Sequence, residues 1–315
     1  MDVLLLTESD IQALLDLEEL LDALASGFKA LHTGQAVVPN RNALSVSDAG
    51  LLLVMPAWQP SQNMTVKLVT VFPGNHAIGL PSHQALIWVF DPQTGTPVAL
   101  MDGTYITAMR TAGAAALSAK LFARKHAHVL AIIGAGIQGH AHLKILPRVC
   151  GFKEIRVASR HFENAQKLAA MHFSARAAES IEEAVRGADV VCLCTASKTP
   201  VIEFEWLSPG THITSVGYTP PGGELPKEVV LQGRLFVETR LAFEPVPAGC
   251  AELAGLNPEI GTEMGEVLLG TRPGRQSDDE ITVYKSMGHA IEDMAAANLT
   301  YRRAKKQGVG KMIKL

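Results

Sequence analysis

The run Val129-Leu-Ala-Ile-Ile-Gly-Ala-Gly-Ile-Gln-Gly-His140 sets an apolar segment directly ahead of Gly134-x-Gly136-x-x-Gly139, and Ala141, Leu143 and Leu146 follow at helical spacing. Strand, glycine turn and helix in that order suit the pyrophosphate of a dinucleotide. Gly134 permits the tight turn, Gly136 lets backbone approach phosphate oxygens without an intervening Cβ, and Gly139 allows the helix to pack closely on the strand. Ile137 and Gln138 open the helix, whose free N–H groups and positive dipole end favour an anion. A glycine triplet alone is also an ordinary turn; the strand before it and the helix after it make this one specific.

The end of the next strand selects among nicotinamide cofactors, because an acidic residue there binds the ribose 2′-hydroxyl of NAD. Here Ile155-Arg-Val-Ala-Ser-Arg-His161 offers no carboxylate. Ser159 and Arg160, with His161 beside them, would instead hold a 2′-phosphate through a hydroxyl and a guanidinium. NADPH is therefore the expected cofactor and NADH the second choice, the alternative being that Arg160 is a solvated surface cation.

Three cations in the N-terminal half each have a local reading. Lys67 sits inside the apolar run Thr65–Val71, where an unpaired ammonium is costly, so it has a partner or serves a site. Arg110, followed by Thr111, lies near the beginning of an Ala-rich helical stretch from Tyr105 to His126, where side chain and backbone would both meet an anion. Arg41, in Pro39-Asn-Arg-Asn42, reads equally well as a plain loop cation. The spacings His126/His128 and His140/His142 lack a carboxylate or thiolate companion, so no metal is expected. Cys192 and Cys194 alternate on a strand and read as small core residues.

Positioning these groups calls for two modules. A chain of 315 residues exceeds one ordinary core, and 47% hydrophobic against 19% charged residues supports well-buried sheets rather than disorder. Thr7 and Asp10 cap a helix expected to run to about Leu31. Short Val/Leu/Ile runs at Leu51–Met55, Thr65–Val71 and Gln84–Phe90 predict an antiparallel or mixed sheet, with Asp91-Pro-Gln-Thr-Gly95 as a hairpin turn. Val129–Ile133, Glu154–Ala158, Val190–Thr195, His212–Val216 and Leu235–Val237 alternate with helical segments, the pattern of a parallel sheet. A last helix carrying Ile291, Met294, Ala295 and Leu299 on one face is expected to return to the first module. The predicted fold is α/β: a Rossmann-type doubly wound parallel sheet over 113–292, plus a smaller α+β substrate-binding and dimerisation domain from 1–112 and 293–315.

A formal net charge of −3, with no basic block beyond Arg302, Arg303, Lys305 and Lys306, argues against nucleic acid. No apolar run reaches membrane-spanning length, and four cysteines without CxxC spacing suit a reducing cytosol, so a cytoplasmic location is expected.

Several segments occur in an order that resembles the ornithine cyclodeaminase/mu-crystallin family over nearly the whole chain. They are Lys67-Leu-Val-Thr-Val-Phe-Pro73, Pro81-Ser-His-Gln84, Phe90-Asp-Pro-Gln-Thr-Gly-Thr-Pro-Val-Ala-Leu-Met-Asp-Gly103, Ile106-Thr-Ala-Met-Arg-Thr111, the glycine loop, and Lys285-Ser-Met-Gly-His-Ala-Ile-Glu-Asp293. The resemblance implies a homodimer built by the N-terminal domain, which also supplies the amino-acid site. It implies that Arg41, Lys67 and Arg110 bind the substrate's carboxylate and imine end, with Thr219 nearby. Ser82, His83, Thr111, Thr195 and Met287 then join the glycine loop on the cofactor, although His83 alone on an apolar strand would read as structural. Asp102 and Glu292-Asp293 read equally as capping or hinge residues or as catalytic groups.

Within that family, members that oxidise an amino acid and use its imine resemble one another in two active-site acids. Leu51-Leu-Leu-Val-Met-Pro56 is wholly apolar, with Leu53 at its centre, and Ile213-Thr-Ser-Val-Gly-Tyr-Thr219 carries Tyr218 and Thr219 where the second acid belongs. Without those bases, reduction of a cyclic imine is the better match: the ketimine reductase branch, taking pyrroline-2-carboxylate or piperideine-2-carboxylate to proline or pipecolate. Lys67, its pKa lowered by neighbouring cations, is one proton source, and an iminium that binds already protonated is the other. Cyclodeaminase or alanine-dehydrogenase chemistry is the alternative on the same fold, and a non-catalytic ligand-binding protein is the second.

Overall fold

The computed structural model describes residues 1–315 apart from the side chain of His76. It divides into two compact units, Met1–Arg110 with His289–Leu315 (unit 1) and Thr111–Gly288 (unit 2).

The chain starts with strand β1 (Asp2–Leu6) and helix α1 (Glu8–Leu14), which Thr7 and Asp10 cap reciprocally. One continuous helix was expected here. Asp16 interrupts it, because its carboxylate accepts the Glu19 N–H at 3.0 Å and starts a second helix, α2 (Leu17–His32). Four antiparallel strands follow, β2 (Asn42–Val46), β3 (Gly50–Ala57), β4 (Met64–Val71) and β5 (His83–Phe90), and then β6 (Pro97–Asp102). Between β5 and β6 the Asp91 carboxylate accepts the N–H groups of Gln93 and Thr94 and closes the expected hairpin. Helix α3 (Gly103–Phe122) begins where Asp102 accepts the Tyr105 N–H at 2.7 Å.

Unit 2 runs through β7 (Val129–Ile133), α4 (Ile137–Val149), β8 (Glu154–Ala158), α5 (Phe162–Ala169), β9 (Ala175–Ala177), α6 (Ile181–Val185), β10 (Val190–Leu193), β11 (His212–Ser215), α7 (Lys227–Gln232), β12 (Arg234–Val237), β13 (Gly261–Glu263), α8 (Met264–Leu268) and β14 (Thr282–Lys285). The chain ends in α9 (Ala290–Gln307) and β15 (Lys311–Lys314). His289–Glu292, which the sequence reading gave to the dinucleotide half, belong to unit 1, because they form the start of α9, a helix buried from Ala290 to Thr300.

The unit 1 sheet has the order β15-β1-β6-β5-β4-β3-β2. Side chains alternate across it, so that Met55, Lys67, Ile87 and Met101 form one buried cross-strand row. Helix α9 packs against β3, β4 and β5 and against α1 and α2. The unit 2 sheet is wholly parallel, with the order β13-β12-β14-β11-β10-β7-β8-β9. Strands β10, β11 and β14 are buried at every residue, as a sheet covered on both faces requires. Strand order reverses between β7 and β10, and such a reversal opens a crevice at the carboxyl ends of the strands. The Rossmann-type α/β expectation therefore holds. Strand β14, four residues long and next to β11, was hidden in what reads as the approach to the last helix. Among the described residues, no helix is long and apolar enough to cross a membrane.

Candidate active site

Lys67 lies midway along β4 on the buried face of the unit 1 sheet, and the first turn of α9 supplies its partner. Asp293 Oδ2 is 2.6 Å from Lys67 Nζ, and Asp293 Oδ1 accepts the Arg110 Nε–H at 3.0 Å. A second Arg110 nitrogen, Nη1, pairs with the Glu292 carboxylate. Lys67, Arg110, Glu292 and Asp293 expose only 2%, 4%, 0% and 1% of their surface, so two cations and two carboxylates are buried as a balanced set. Such a set is tolerable only because every charge is paired.

Burial pushes the Lys67 ammonium down to about 8, Arg110 adds to the fall, and Asp293 opposes it. The sequence reading named neighbouring cations as the cause; desolvation is the larger one, because the side chain is enclosed in the sheet core. Burial alone would raise the Asp293 carboxyl, but Arg110 and Lys67 outweigh it and hold the group below its ordinary value.

Arg110 sits about two turns into α3, since the helix starts at Gly103 rather than beside Arg110. Its own backbone and that of Thr111 are thus inside the helix, and the expectation that both meet an anion at a helix start is corrected. The guanidinium is itself engaged by Asp293 and Glu292 through Nε and Nη1. Arg41 precedes edge strand β2; continuing the Asn42↔Val54 pairing by one residue sets it level with Met55 and Lys67, roughly 10 Å from Lys67 across two strand spacings. His83 opens β5 on the same face as Ile87, and hence as Lys67, and its Nδ1 is 3.0 Å from Ser82 Oγ. Thr219 is half-buried in unit 2, so no single unit holds it together with Arg41, Lys67 and Arg110.

In unit 2, Gly134 ends β7 with φ +112°, a conformation L side chains rarely adopt, and a Cβ there would lie 2.5 Å from the Cys194 carbonyl. A Cβ on Gly139 would run into the Gly134 carbonyl. Helix α4 starts at Gly136 with no side chain capping its N–H groups, and Gln138 Oε1 is buried without a hydrogen-bond partner among the described residues. These are the features of a phosphate cradle, and they fit a dinucleotide. Ser159 follows β8, exposed Arg160 lies beside it, and His161 caps α5, with Arg160 Nε 3.4 Å from His161 Nε2. Thr195 donates both its N–H (2.6 Å) and its hydroxyl (2.7 Å) to Glu224, and the Met287 N–H donates to Glu238 at 3.1 Å.

Leu53 is buried in β3 opposite Val69, so that position is hydrophobic core. The carboxylates beside Lys67 come instead from α9. Sequence reasoning weighed Glu292 and Asp293 only as capping, hinge or catalytic groups; their place in the Lys285–Asp293 motif was the available signal.

The family model described as "Ornithine cyclodeaminase/mu-crystallin family" matches residues 1–308. Ketimine reductase mu-crystallin of Mus musculus is 39% identical over 285 residues, covering 89% of this chain and 90% of its own. The Thermococcus litoralis Δ1-pyrroline-2-carboxylate reductase, solved with NADH and L-proline, superposes with a TM-score of 0.92 at 34% identity, covering 99% of this chain and all of that one. An archaeal alanine dehydrogenase dimer with bound NAD superposes with a TM-score of 0.90 at 33% identity over the full length of both chains.

Proposed function

Because the chain belongs to the ornithine cyclodeaminase/mu-crystallin family, we propose that it reduces the C=N bond of a small cyclic 2-imino acid, of the pyrroline- or piperideine-2-carboxylate type, to the L-amino acid. The Thermococcus relative bound to NADH and L-proline supports that substrate class. The observation that carries the reading is the buried Lys67 ammonium, tied to Asp293 beside Arg110 in a strand where an apolar side chain would serve packing as well.

A nicotinamide cofactor, when bound, supplies the hydride. The glycine loop of Gly134, Gly136 and Gly139, with Ile137 and Gln138 at the start of α4, holds its pyrophosphate; Ser159, Arg160 and His161 favour NADPH over NADH. On the family resemblance alone, Ser82, His83, Thr111, Thr195 and Met287 are assigned to the nicotinamide side. The N–H donors of Arg110 that Asp293 and Glu292 leave over, with Arg41 just ahead of β2, bind the planar carboxylate of the imino acid. Lys67 delivers a proton to the imine nitrogen as the carbon gains hydride, so that C=N becomes CH–NH. An ammonium that titrates near 8 is largely protonated at neutral pH and is still a competent acid. Asp293 keeps that ammonium oriented.

Cyclodeaminases, on the family resemblance, share two active-site acids. Leu53, Tyr218 and Thr219 supply none, and Asp293 and Glu292 are already ion-paired. A homodimer accompanies this reading. The outer face of the unit 1 sheet aligns Leu44, Leu52, Thr70 and Gln84 in one cross-strand row and Val54, Leu68 and Leu86 in the next, with Leu44 63% and Leu86 49% exposed.

The test is oxidation of NADPH and NADH by the purified protein over pyrroline-2-carboxylate, piperideine-2-carboxylate and pyruvate plus amines, set against NADP and NAD reduction with ornithine, lysine and alanine. Turnover of the cyclic imines is expected. Turnover confined to ornithine or alanine would overturn the reading, and none on any substrate would favour a ligand-binding role.

A further inference from the structure

Three segments follow β10, β11 and β12 at the carboxyl edge of the unit 2 sheet, and buried charges tie them together and to Lys285 at the end of β14. Glu224, fully enclosed, accepts four hydrogen bonds: from the Thr195 N–H and hydroxyl at 2.6 and 2.7 Å, the Ser215 hydroxyl at 3.0 Å and the Gly217 N–H at 2.6 Å. Lys285, equally enclosed at the end of β14, donates to Ser215 Oγ at 3.1 Å, to the Gly217 carbonyl at 2.7 Å and to Glu252 at 2.8 Å. Ser215 therefore joins the carboxylate to the ammonium. The network abuts the glycine loop directly, since a Cβ on Gly134 would lie 3.3 Å from the Thr195 methyl and one on Gly217 would lie 2.6 Å from the Glu224 carboxyl carbon.

A buried charge set of this kind contributes little stability over an apolar replacement of the same volume. What it does supply is fixed geometry, because the four donors on Glu224 and three acceptors on Lys285 tie the Thr195 and Gly217 loops to the end of β11. We propose that Glu224 and Lys285 are positioning residues for the nicotinamide cofactor: through Ser215 they lock the Thr195 and Gly217 loops against the phosphate loop, so that the site is assembled before the cofactor arrives. Neither residue needs to touch the cofactor. Pre-assembly spares the ordering of two loops at the moment of binding, and the effect belongs in cofactor affinity. The inference rests on the proposed reading of unit 2 as the nicotinamide site.

Direct binding separates the two ideas. NADPH and NADH are titrated by nucleotide fluorescence into the full chain, into Glu224→Gln and into Ser215→Ala, with thermal midpoints recorded for all three. Binding to the unaltered chain tests the nicotinamide site itself, and its absence would sink that reading. Given such binding, Glu224→Gln keeps the shape but turns an amide toward the donors, and a Kd weaker by roughly tenfold or more is expected. The KM of the imine at saturating cofactor should stay within about twofold. Should Glu224→Gln not fold, Ser215→Ala decides, since it deletes one hydroxyl and should weaken cofactor binding by roughly threefold. Unchanged cofactor Kd in a folded variant would overturn the proposal, as would equal loss of cofactor and imine affinity, the sign of general loosening.

Discussion

Asp293 on α9 reaches Lys67 on β4 at 2.6 Å although 226 positions separate them in the chain, and this contact brings a carboxylate to a lysine buried in the unit 1 sheet. The same carboxylate receives the Arg110 Nε–H, so one residue orients both cations proposed to act on the substrate.

If Lys67 is the proton donor, kcat falls as pH rises through about 8, because the ammonium is lost there. Asp293 favours the charged lysine, so Asp293→Asn lowers the Lys67 pKa further and moves the falling limb toward acid. Stopped-flow turnover between pH 6 and 10 measures both. A limb that follows the imine's own titration and ignores Asp293→Asn would assign the proton to a substrate bound as iminium.

Lys67→Met removes the donor while filling the strand position with an apolar chain of similar length. Turnover should drop roughly a hundredfold or more, and the thermal midpoint should fall as well, since one partner is removed and two buried carboxylates are left with a single cation. Asp293 then lacks one partner but keeps Arg110. Unchanged turnover would eliminate Lys67 as the donor.

Cofactor choice rests on Ser159 and Arg160. Arg160→Ala should raise the KM for NADPH by roughly fivefold to tenfold and leave that for NADH within about twofold, the exposure of Arg160 keeping the effect modest. Parallel changes for both cofactors would mark Arg160 as a plain surface cation.

The glycine loop and five strands of the parallel sheet were legible because their signals are local: largely apolar runs of three to six residues, punctuated by glycine. Lys67 was legible as an anomaly, a cation in an apolar strand. Its partner was not, because the pairing is made by the tertiary return of α9, and neither spacing nor period in the sequence encodes which strand that helix covers. The start of α3 was read at Tyr105, two residues late, and Arg110 was set too near it for a related reason. Ala-rich sequence marks a helix but not its first turn, which the Asp102 side chain sets. The Glu224–Lys285 network was invisible, since isolated charges in loops and at strand ends ordinarily read as solvated.

Buried histidines make unit 2 acid-sensitive. His142 and His212 are held down to about 4 and about 3, chiefly by burial. His142 Nδ1–H donates to the Gln138 carbonyl at 2.8 Å, which fixes the neutral tautomer. A histidine whose folded pKa is depressed takes up its proton in the unfolded chain first, so stability is full above about 6.5 and is lost as pH falls toward the folded value. At pH 5 the loss is about 2 kcal/mol per histidine. Urea midpoints at pH 7 and pH 5 should differ accordingly, and His142→Leu should shrink the difference.

The outer face of the unit 1 sheet is the proposed dimer contact. Leu86→Glu should convert the protein to a monomer in sedimentation velocity with its fold intact by circular dichroism. An unaltered chain that already sediments as a monomer would contradict it.

The most direct test follows the hydride itself. NADPH deuterated at the transferring C4 position is oxidised by the protein in the presence of piperideine-2-carboxylate, and the product is read by mass spectrometry and proton NMR. One deuterium at Cα of L-pipecolate is predicted, with a proton from solvent on nitrogen. Cofactor oxidation without label at Cα, or label transfer only in the reverse sense from an amino acid to NADP, would contradict the assignment.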